Sequence, residues 1–393
     1  MSDDDTATIE APTRRDTIKF GGAVVGGGLL AGCIGDTSDT TDSGSTPEQQ
    51  DNETQSQTEE NRSYSVSMEP VGEVTFEEVP ETWFPFTGDY ADMGVALGQA
   101  DGLQAVGIRE RFASHFYDEL PGVSIDKESL TPLWQDGTDK EVFYELDADV
   151  HLIDPNFMIN RIQWERDDIN EIERNIAPFF GNTIFSGSYE WHDYKQYTLY
   201  EALEKAAQVF QERDRYEAYV SLHAEVLSDV KSRLPDGRPE IAVLLPRSDP
   251  PETFLPFVMD SGTSFKQWYD LNVEDALAKS GVKNFHETRG EIDYETLLEV
   301  DPEVIVIRHQ GELPKDEFNS EFVSHMKNHD VASELQAVEN DRVLRGGAPY
   351  QGPIVHLFQL EQAAQDLHPD IFTEDEFFDR QHVAAIVNGD FYP

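Results

Sequence analysis

Few residues in this chain have the spacing that chemistry needs. His325 and His329 stand at i, i+4 and could grip a metal, yet no third ligand is evident and Met326-Lys327-Asn328 supplies no base. His309 follows the apolar run Val304-Ile305-Val306-Ile307, which places it at a strand end where a cleft residue could ligate a metal. Gly346-Gly347 lacks the Lys-Ser/Thr that completes a phosphate loop, and Gly26-Gly27-Gly28 lies in a leader-like segment. No Gly-x-Ser-x-Gly elbow occurs, and the one cysteine is Cys33. Acid and base groups are scattered. The sequence therefore argues for binding rather than turnover.

Two stretches specify the elements that position such residues. Asp139-Lys140-Glu141-Val142-Phe143-Tyr144-Glu145-Leu146-Asp147-Ala148-Asp149-Val150-His151-Leu152-Ile153 returns as Asp293-Tyr294-Glu295-Thr296-Leu297-Leu298-Glu299-Val300-Asp301-Pro302-Glu303-Val304-Ile305-Val306-Ile307. Each reads as a short helix, a turn and a buried strand. Two copies exclude a solenoid and point to two similar lobes. Strands alternate with helices in both, which argues for parallel sheets covered on both faces. Between them, Leu199, Leu203, Ala206, Phe210, Tyr216, Val220, His223, Leu227 and Val230 recur at helical spacing until Pro235-Asp236-Gly237. The spacing falters at Gln211 to Asp214, so one beam of roughly 50 Å or two shorter helices both fit.

At 393 residues the chain holds more than one core. It carries 78 acidic against 29 basic residues, a net charge of −49. Phosphate repulsion excludes nucleic acid as a partner for such a surface. Self-repulsion on this scale is tolerable where salt shortens the Debye length to roughly 3 Å at 1 M. Acidic residues spread along the chain, with lysine scarce, thus point to a halophile with haloarchaeal-like composition.

Residues 1–33 read as an export leader: Arg14-Arg15, an apolar run from Phe20 to Ala31 too short to span a bilayer, then Leu30-Ala31-Gly32-Cys33. That order resembles a twin-arginine (Tat) signal followed by a lipobox, whose cysteine, Cys33, becomes the lipid-carrying residue. Thr17 departs from the Tat pattern, where a bulky apolar residue is usual. Residues 34–70, rich in Asp, Thr, Ser, Gln and Glu, read as a disordered acidic tether.

Repeat, beam and lipobox together resemble the solute-binding lipoproteins of ABC importers that take up ferric siderophores, haem or cobalamin. The resemblance rests on Glu141 to Val150, Glu295 to Val304, Leu335 to Val343 and Leu367-His368-Pro369-Asp370, and covers about residues 71 to 370. It implies an α/β fold of the class III periplasmic-binding-protein type: two Rossmann-like lobes with parallel sheets (71–197 and 236–393) joined by one long α-helix (198–235). It also implies an extracytoplasmic monomer tethered to the membrane through Cys33. Such a protein has no resident cofactor, takes a ferric chelate as cargo and an ABC permease dimer as partner, and is not an enzyme. By the same resemblance Glu141 and Glu295 dock on permease arginines. Thr138-Asp139-Lys140-Glu141 also spells a capping box, and Asp293 with Glu295 suits a helix start, so capping and docking both remain open.

Open α/β sheets bind ligands at the carboxyl ends of their strands. That rule selects Tyr90, Arg109, Arg111, Trp134, Asn156 and Phe157 from the first lobe, and Arg247, Trp268, Arg308, His309 and Tyr350 from the second. Arginines would complement an anionic chelate and aromatics its flat faces. Within the family, cobalamin or haem is the alternative to a siderophore. The competing class is an anchored surface enzyme acting on a metal chelate, for which the cleft offers only His309 and scattered carboxylates. One joining helix implies closure by a small shear rather than a wide hinge.

Overall fold

The computed structural model describes residues 63–391 apart from positions 136, 310, 312, 374 and 375. The leader, Cys33 and the tether up to residue 62 lie outside the described residues. The end of the predicted tether is ordered: Tyr64–Met68 (β1) pairs antiparallel with Gly72–Phe76 (β2). Tyr-Ser-Val-Ser-Met alternates, and the inward residues Val66 and Met68 join the core, which is why this stretch folds while its neighbours in composition read as polar.

Two separate sheets follow. In the first, Trp83–Pro85 (β3), Ala105–Val106 (β4), Thr131–Pro132 (β5) and Val150–Leu152 (β6) run parallel in the order β5-β4-β3-β6. Gln104 N donates to Trp83 O at 3.1 Å and Gly107 N to Phe86 O at 2.9 Å, which joins β4 to β3, and Phe179 continues the sheet beyond β6. The second sheet holds Glu240–Pro246 (β7), Thr253–Pro256 (β8), Glu274–Asp275 (β9), Ile292–Asp293 (β10), Val304–Ile307 (β11) and Val343–Arg345 (β12). Its order is β10-β8-β7-β11-β12, with β9 beside the start of β7. Here the expectation of parallel sheets needs correction: β7, β9, β11 and β12 are parallel, but β8 is antiparallel to β7 and β10 to β8. Only a short loop joins β7 to β8, too short for the crossover that a parallel pair needs. The two repeat strands, β6 and β11, sit in different sheets, each following its short helix.

The helices that bear on the site are α1 (Gly88–Ala96), α2 (Lys140–Leu146), α3 (Pro155–Ile162), α4 (Leu199–Phe210), α5 (Arg213–Arg233), α6 (Lys266–Asp270), α7 (Tyr294–Val300) and α8 (Pro353–Leu367). The single helix expected over 198–235 is two. Gln211 takes the left-handed conformation (φ 58°) and donates its N–H to Ala207 O, closing α4 as a C-terminal cap. The faltering apolar spacing at Gln211 to Asp214 is the sequence trace of that break. The chain between β11 and β12 holds only short helical turns, among them Ser324–Asn328, Ala332–Glu334 and Gln336–Glu339.

Two buried polar arrangements tie these layers together. Asp92 on α1, fully buried, accepts Ile354 N at 2.9 Å, Val355 N at 3.0 Å and the Tyr117 hydroxyl at 2.7 Å, so a carboxylate caps the start of α8. Burial pushes Asp92 up to about 7 against these bonds. His223 on α5 donates through Nε2 to Pro353 O at 2.8 Å and accepts the Tyr200 hydroxyl at 2.7 Å, and its ring stacks on His356 of α8, which donates to Asp270 at 3.0 Å.

His151, at the centre of β6, is buried with neither ring nitrogen partnered, boxed by Phe84, Phe143 and Phe179. Burial holds it neutral, down to about 3. Its folded value lies below the unfolded one, so its contribution is intact above about pH 6.5 and is lost as pH falls towards 3. Two unpaired nitrogens cost about 1–3 kcal/mol, a penalty an apolar ring avoids. His151→Phe should raise the thermal midpoint by about 2–6 °C and flatten the loss of stability between pH 6.5 and 3. Unfolding followed at both pH values checks this, and a lower midpoint would contradict it.

Candidate functional site

The segment 182–194, which has no helix or strand of its own, is held between the carboxyl end of β6 in the first sheet and the residues that follow β8 in the second. Two acids fix it. Asp154, at the end of β6 and buried, caps α3 through Asn156 N at 2.8 Å. Its other oxygen accepts Thr183 N at 2.9 Å, the Thr183 hydroxyl at 2.8 Å and the Tyr194 hydroxyl at 2.5 Å. Asp260, just after β8, accepts the Ser186 hydroxyl at 2.7 Å, Gly187 N at 3.0 Å, Ser188 N at 3.0 Å and the Ser188 hydroxyl at 2.6 Å. Thr263 N also donates to Ile184 O at 2.9 Å. Gly262 is required there, because a Cβ would stand 2.2 Å from Phe185 O.

Held this way, the segment contributes Phe185 and Tyr189 to an aromatic seam between the sheets. Phe157 meets Phe86 at 5.3 Å and Phe185 at 5.9 Å, and Phe185 meets Tyr350 edge-on at 5.0 Å. Tyr189 lies 4.6 Å from His286, which in turn lies 5.4 Å from Phe257. The Arg161 guanidinium sits 5.6 Å from the Tyr189 ring centre, and that of Arg308 lies 4.9 Å from Phe257 and 4.4 Å from Phe265. Residues of the first-sheet side meet those of the second through Phe185 and Tyr189.

The seam is electropositive in a chain of net charge −49. Arg308 is 2 % exposed, donates one bond to Ser264 O at 2.6 Å, and leaves its buried Nε without a partner. No carboxylate lies within ion-pair distance of it among the described residues. Desolvation pulls it down to about 10, and the nearest acid, Asp260, is saturated by the segment it fixes. His286 is neutral, held down to about 3 by burial and then by Arg308 and Arg161, and its buried Nδ1 is unpartnered. Such a surface is suited to receive an anion with flat faces.

The predicted residues divide. Arg308, Tyr350 and Phe157 come together in the seam. Asn156 sits beside it, its side-chain oxygen accepting from Arg166 at 2.9 Å. Trp134, 42 % exposed, and half-buried Arg111, whose side chain makes no hydrogen bond or ion pair among the described residues, stand beyond the ends of β5 and β4. Arg109 is paired with Glu128 at 3.0 Å and Arg247 with Glu291 at 3.3 Å. Tyr90 and Trp268 are corrections: both are core, Tyr90 accepting Asn182 N at 3.1 Å, Trp268 fully buried on α6. Their apolar surface is better placed in packing than in a cleft. His309 points to a different cavity from Arg308, because successive strand-end residues face opposite ways. Arg161, Phe185, Tyr189, Phe257 and His286 were not foreseen. Four of them lie on irregular or very short elements, and Arg161 signals itself only as the i+4 neighbour of Phe157.

Glu141 and Glu295 occupy the first turns of α2 and α7, exposed, with no hydrogen bond or ion pair among the described residues. The capping box expected at Thr138 does not form: Asp139 is the cap position, and the Thr138 hydroxyl is buried without a partner while its carbonyl accepts Trp164 Nε1 at 2.8 Å. In the second copy Asp293 alone caps, through Thr296 N. Neither glutamate is consumed by its helix.

His325 and His329 do acquire a third group, Glu252, at 3.0 and 3.1 Å. His329 Nδ1, however, accepts Val331 N and Ala332 N, so its Nε2 carries the proton given to Glu252 and is closed to a metal. Among the described residues no group of three or more His, Cys, Asp or Glu could hold a metal ion. No helix among them is long and apolar enough to cross a membrane.

Residues 149–350, just over half of the chain, match the family described as Periplasmic binding protein. The chain belongs to that family. Solved structures agree on the fold. A periplasmic binding protein from Veillonella parvula superposes with a TM-score of 0.57 at 15% identity, over 78% of this chain and 98% of that one. The iron-uptake ABC transporter substrate-binding protein PiuA from Streptococcus pneumoniae gives 0.54 at 15% identity, over 78% and 99%. The haem-binding protein HmuT gives 0.55 at 16%, over 78% and 90%. Curated protein sequences give no match. As in other α/β binding proteins, the strand ends of this periplasmic binding protein are where a solute would be met.

An uncompensated buried guanidinium lowers the stability of the empty protein. Arg308→Met should therefore raise the unfolding free energy of the ligand-free chain by about 1–3 kcal/mol, measured by denaturant titration in high salt. A loss of similar size would mean that Arg308 is structural.

Proposed function

We propose that this periplasmic binding protein is the extracytoplasmic, lipid-anchored solute receptor of an ABC importer and that its cargo is an anionic iron chelate, a ferric siderophore. Cys33 would carry the lipid after Tat export, and residues 34–62 would tether two Rossmann-like lobes to a membrane of a halophile. One observation carries the reading: an aromatic seam between two sheets holds Arg308, Arg161 and neutral His286 with no carboxylate in ion-pair contact among the described residues, in a strongly acidic chain. Arg111 and Trp134 at the neighbouring strand ends would extend the same surface. Haem is the second reading, favoured by the unpartnered Nδ1 of His286 among flat rings. An enzyme on this frame finds less support, since His286 stands between cations and has no carboxylate to work with.

The cargo would be passed to the permease through Glu141 and Glu295. Their shared place in the repeat, exposure and freedom from other bonds support it, because two carboxylates on a stiff frame can test for two matching basic sites. The Asp260 clamp on the crossing segment supports small closure in place of a hinge.

Tryptophan fluorescence titration in molar salt with ferric catecholate, haem, a neutral ferric hydroxamate and cobalamin tests the cargo. An anionic member should bind, and Arg308→Met should weaken it by at least about tenfold. Failure of all four, or indifference to Arg308→Met, would overturn the reading. Replacing both Glu141 and Glu295 by Ala should leave cargo affinity unchanged and abolish uptake in cells. Lost affinity would contradict their docking role.

A further inference from the structure

Arg308 and His309 are neighbours at the end of β11, but only Arg308 faces the seam. His309 lines a separate cavity of about 250 Å³, the volume of roughly eight waters, bounded by Phe116 and Glu119 on one side and by Arg345, Phe358 and Glu361 on the other. None of these residues belongs to the aromatic seam. Phe116 and Phe358 stack face to face at 4.9 Å with an interplanar angle of 12°, and the pair makes up an apolar side of the cavity.

The polar groups around that wall are unequally satisfied. His309 Nδ1 lies 3.0 Å from Gly311 O, and a carbonyl only accepts, so Nδ1 carries the proton. Nε2 is then a bare acceptor, buried and without a partner among the described residues. Burial keeps the ring neutral, down to about 4, so that lone pair stays available at neutral pH. The cations nearby are spent. Arg345 gives two bonds of 3.2 Å to Asp366 and, with the Gln362 amide oriented to accept, further bonds of 2.7–2.9 Å. Arg380 grips Glu361 at 2.6 and 3.0 Å, and Glu361 also accepts Phe377 N at 2.6 Å, so that carboxylate is filled. Glu119 keeps only a 3.6 Å contact with Arg380 and is 55 % exposed. Among the described residues, His309 Nε2 and the Glu119 carboxylate stand as acceptors, one neutral and one anionic, beside the aromatic pair, with His115 and Gln365 also lining the cavity.

We infer that this cavity is a second ligand site, distinct from the seam, for a small organic ammonium compound. The amine would donate to His309 Nε2 and pair with Glu119, and its apolar body would lie against Phe116 and Phe358. The charge preference is opposite to that of the seam, so cargo and amine would not compete. Weak affinity is expected, since one donor bond and one half-exposed ion pair orient the ligand.

Benzylamine, which carries one ammonium on a flat ring, is a suitable probe for the full chain, with benzoate as its charge-reversed match. Ligand-observed NMR in molar salt, where non-specific attraction to the acidic surface is screened, should show binding of benzylamine and none of benzoate. Glu119→Gln, a change at a half-exposed position, should weaken benzylamine about two- to fivefold, and His309→Phe should abolish its binding by filling the cavity. Neither should alter affinity for the anionic cargo, so failure here is distinguishable from failure of the cargo reading. Benzoate binding as well as benzylamine, or both variants binding benzylamine like the wild type, would overturn the assignment.

Discussion

Two carboxylates, one at the end of each sheet, decide the form of the seam. Asp154 and Asp260 each spend one oxygen on donors of the same segment, 182–194, with Asp154 reaching Thr183 and Tyr194 and Asp260 reaching Ser186, Gly187 and Ser188, and the other oxygen on a local backbone N–H, that of Asn156 and of Gly262. That segment has no ladder of its own, so its backbone donors depend on these acids. Burial alone would raise Asp154, and the Tyr194 and Thr183 bonds oppose that shift. Without the two anchors the aromatic residues it carries would have no fixed position, and the sheets would lose a direct bond between their strand ends.

The same saturation explains the electrostatics. Asp260 is the acid nearest Arg308, yet its lone pairs are committed elsewhere, and the guanidinium is left stacked on rings with a carbonyl for company. A protein with 78 acidic residues had many ways to neutralise one buried arginine, and here it does not. The resulting cost in the empty state is of the kind that functional sites carry. A bound anion would recover it. Cation-rich seam and acceptor-rich cavity are thus separated by one residue step along β11, a consequence of side-chain alternation at a strand end.

How much of this was readable depended on periodicity. The repeat was legible because Val150-His151-Leu152 and Val304-Ile305-Val306-Ile307 are buried strands after short amphipathic helices, and a buried strand leaves a continuous apolar signature. The break at Gln211 left a trace in the apolar spacing, but one that a single helix also tolerates. The mixed character of the second sheet was hidden, since direction is set by the short β7–β8 loop and not by the strand residues. Site residues fared worse. Arg308, Tyr350 and Phe157, selected by position at strand ends, come together in the seam, whereas Tyr90 and Trp268, selected by the same rule, are core. Tyr189 and His286 lie where no pattern distinguishes a ligand-facing ring from any other, and their role follows only from what Asp154, Asp260 and Asn284 hold in place.

In the loaded state proposed for this protein, an anionic chelate of iron lies in the seam against Arg308 and His286. Crystals of the chain loaded with ferric catecholate, measured at the iron absorption edge, locate the metal directly by its anomalous signal. The account predicts a single strong peak between the sheets, lined by Arg161, His286 and Arg308. A peak in the cavity beneath His309, or on the outer surface, would contradict it.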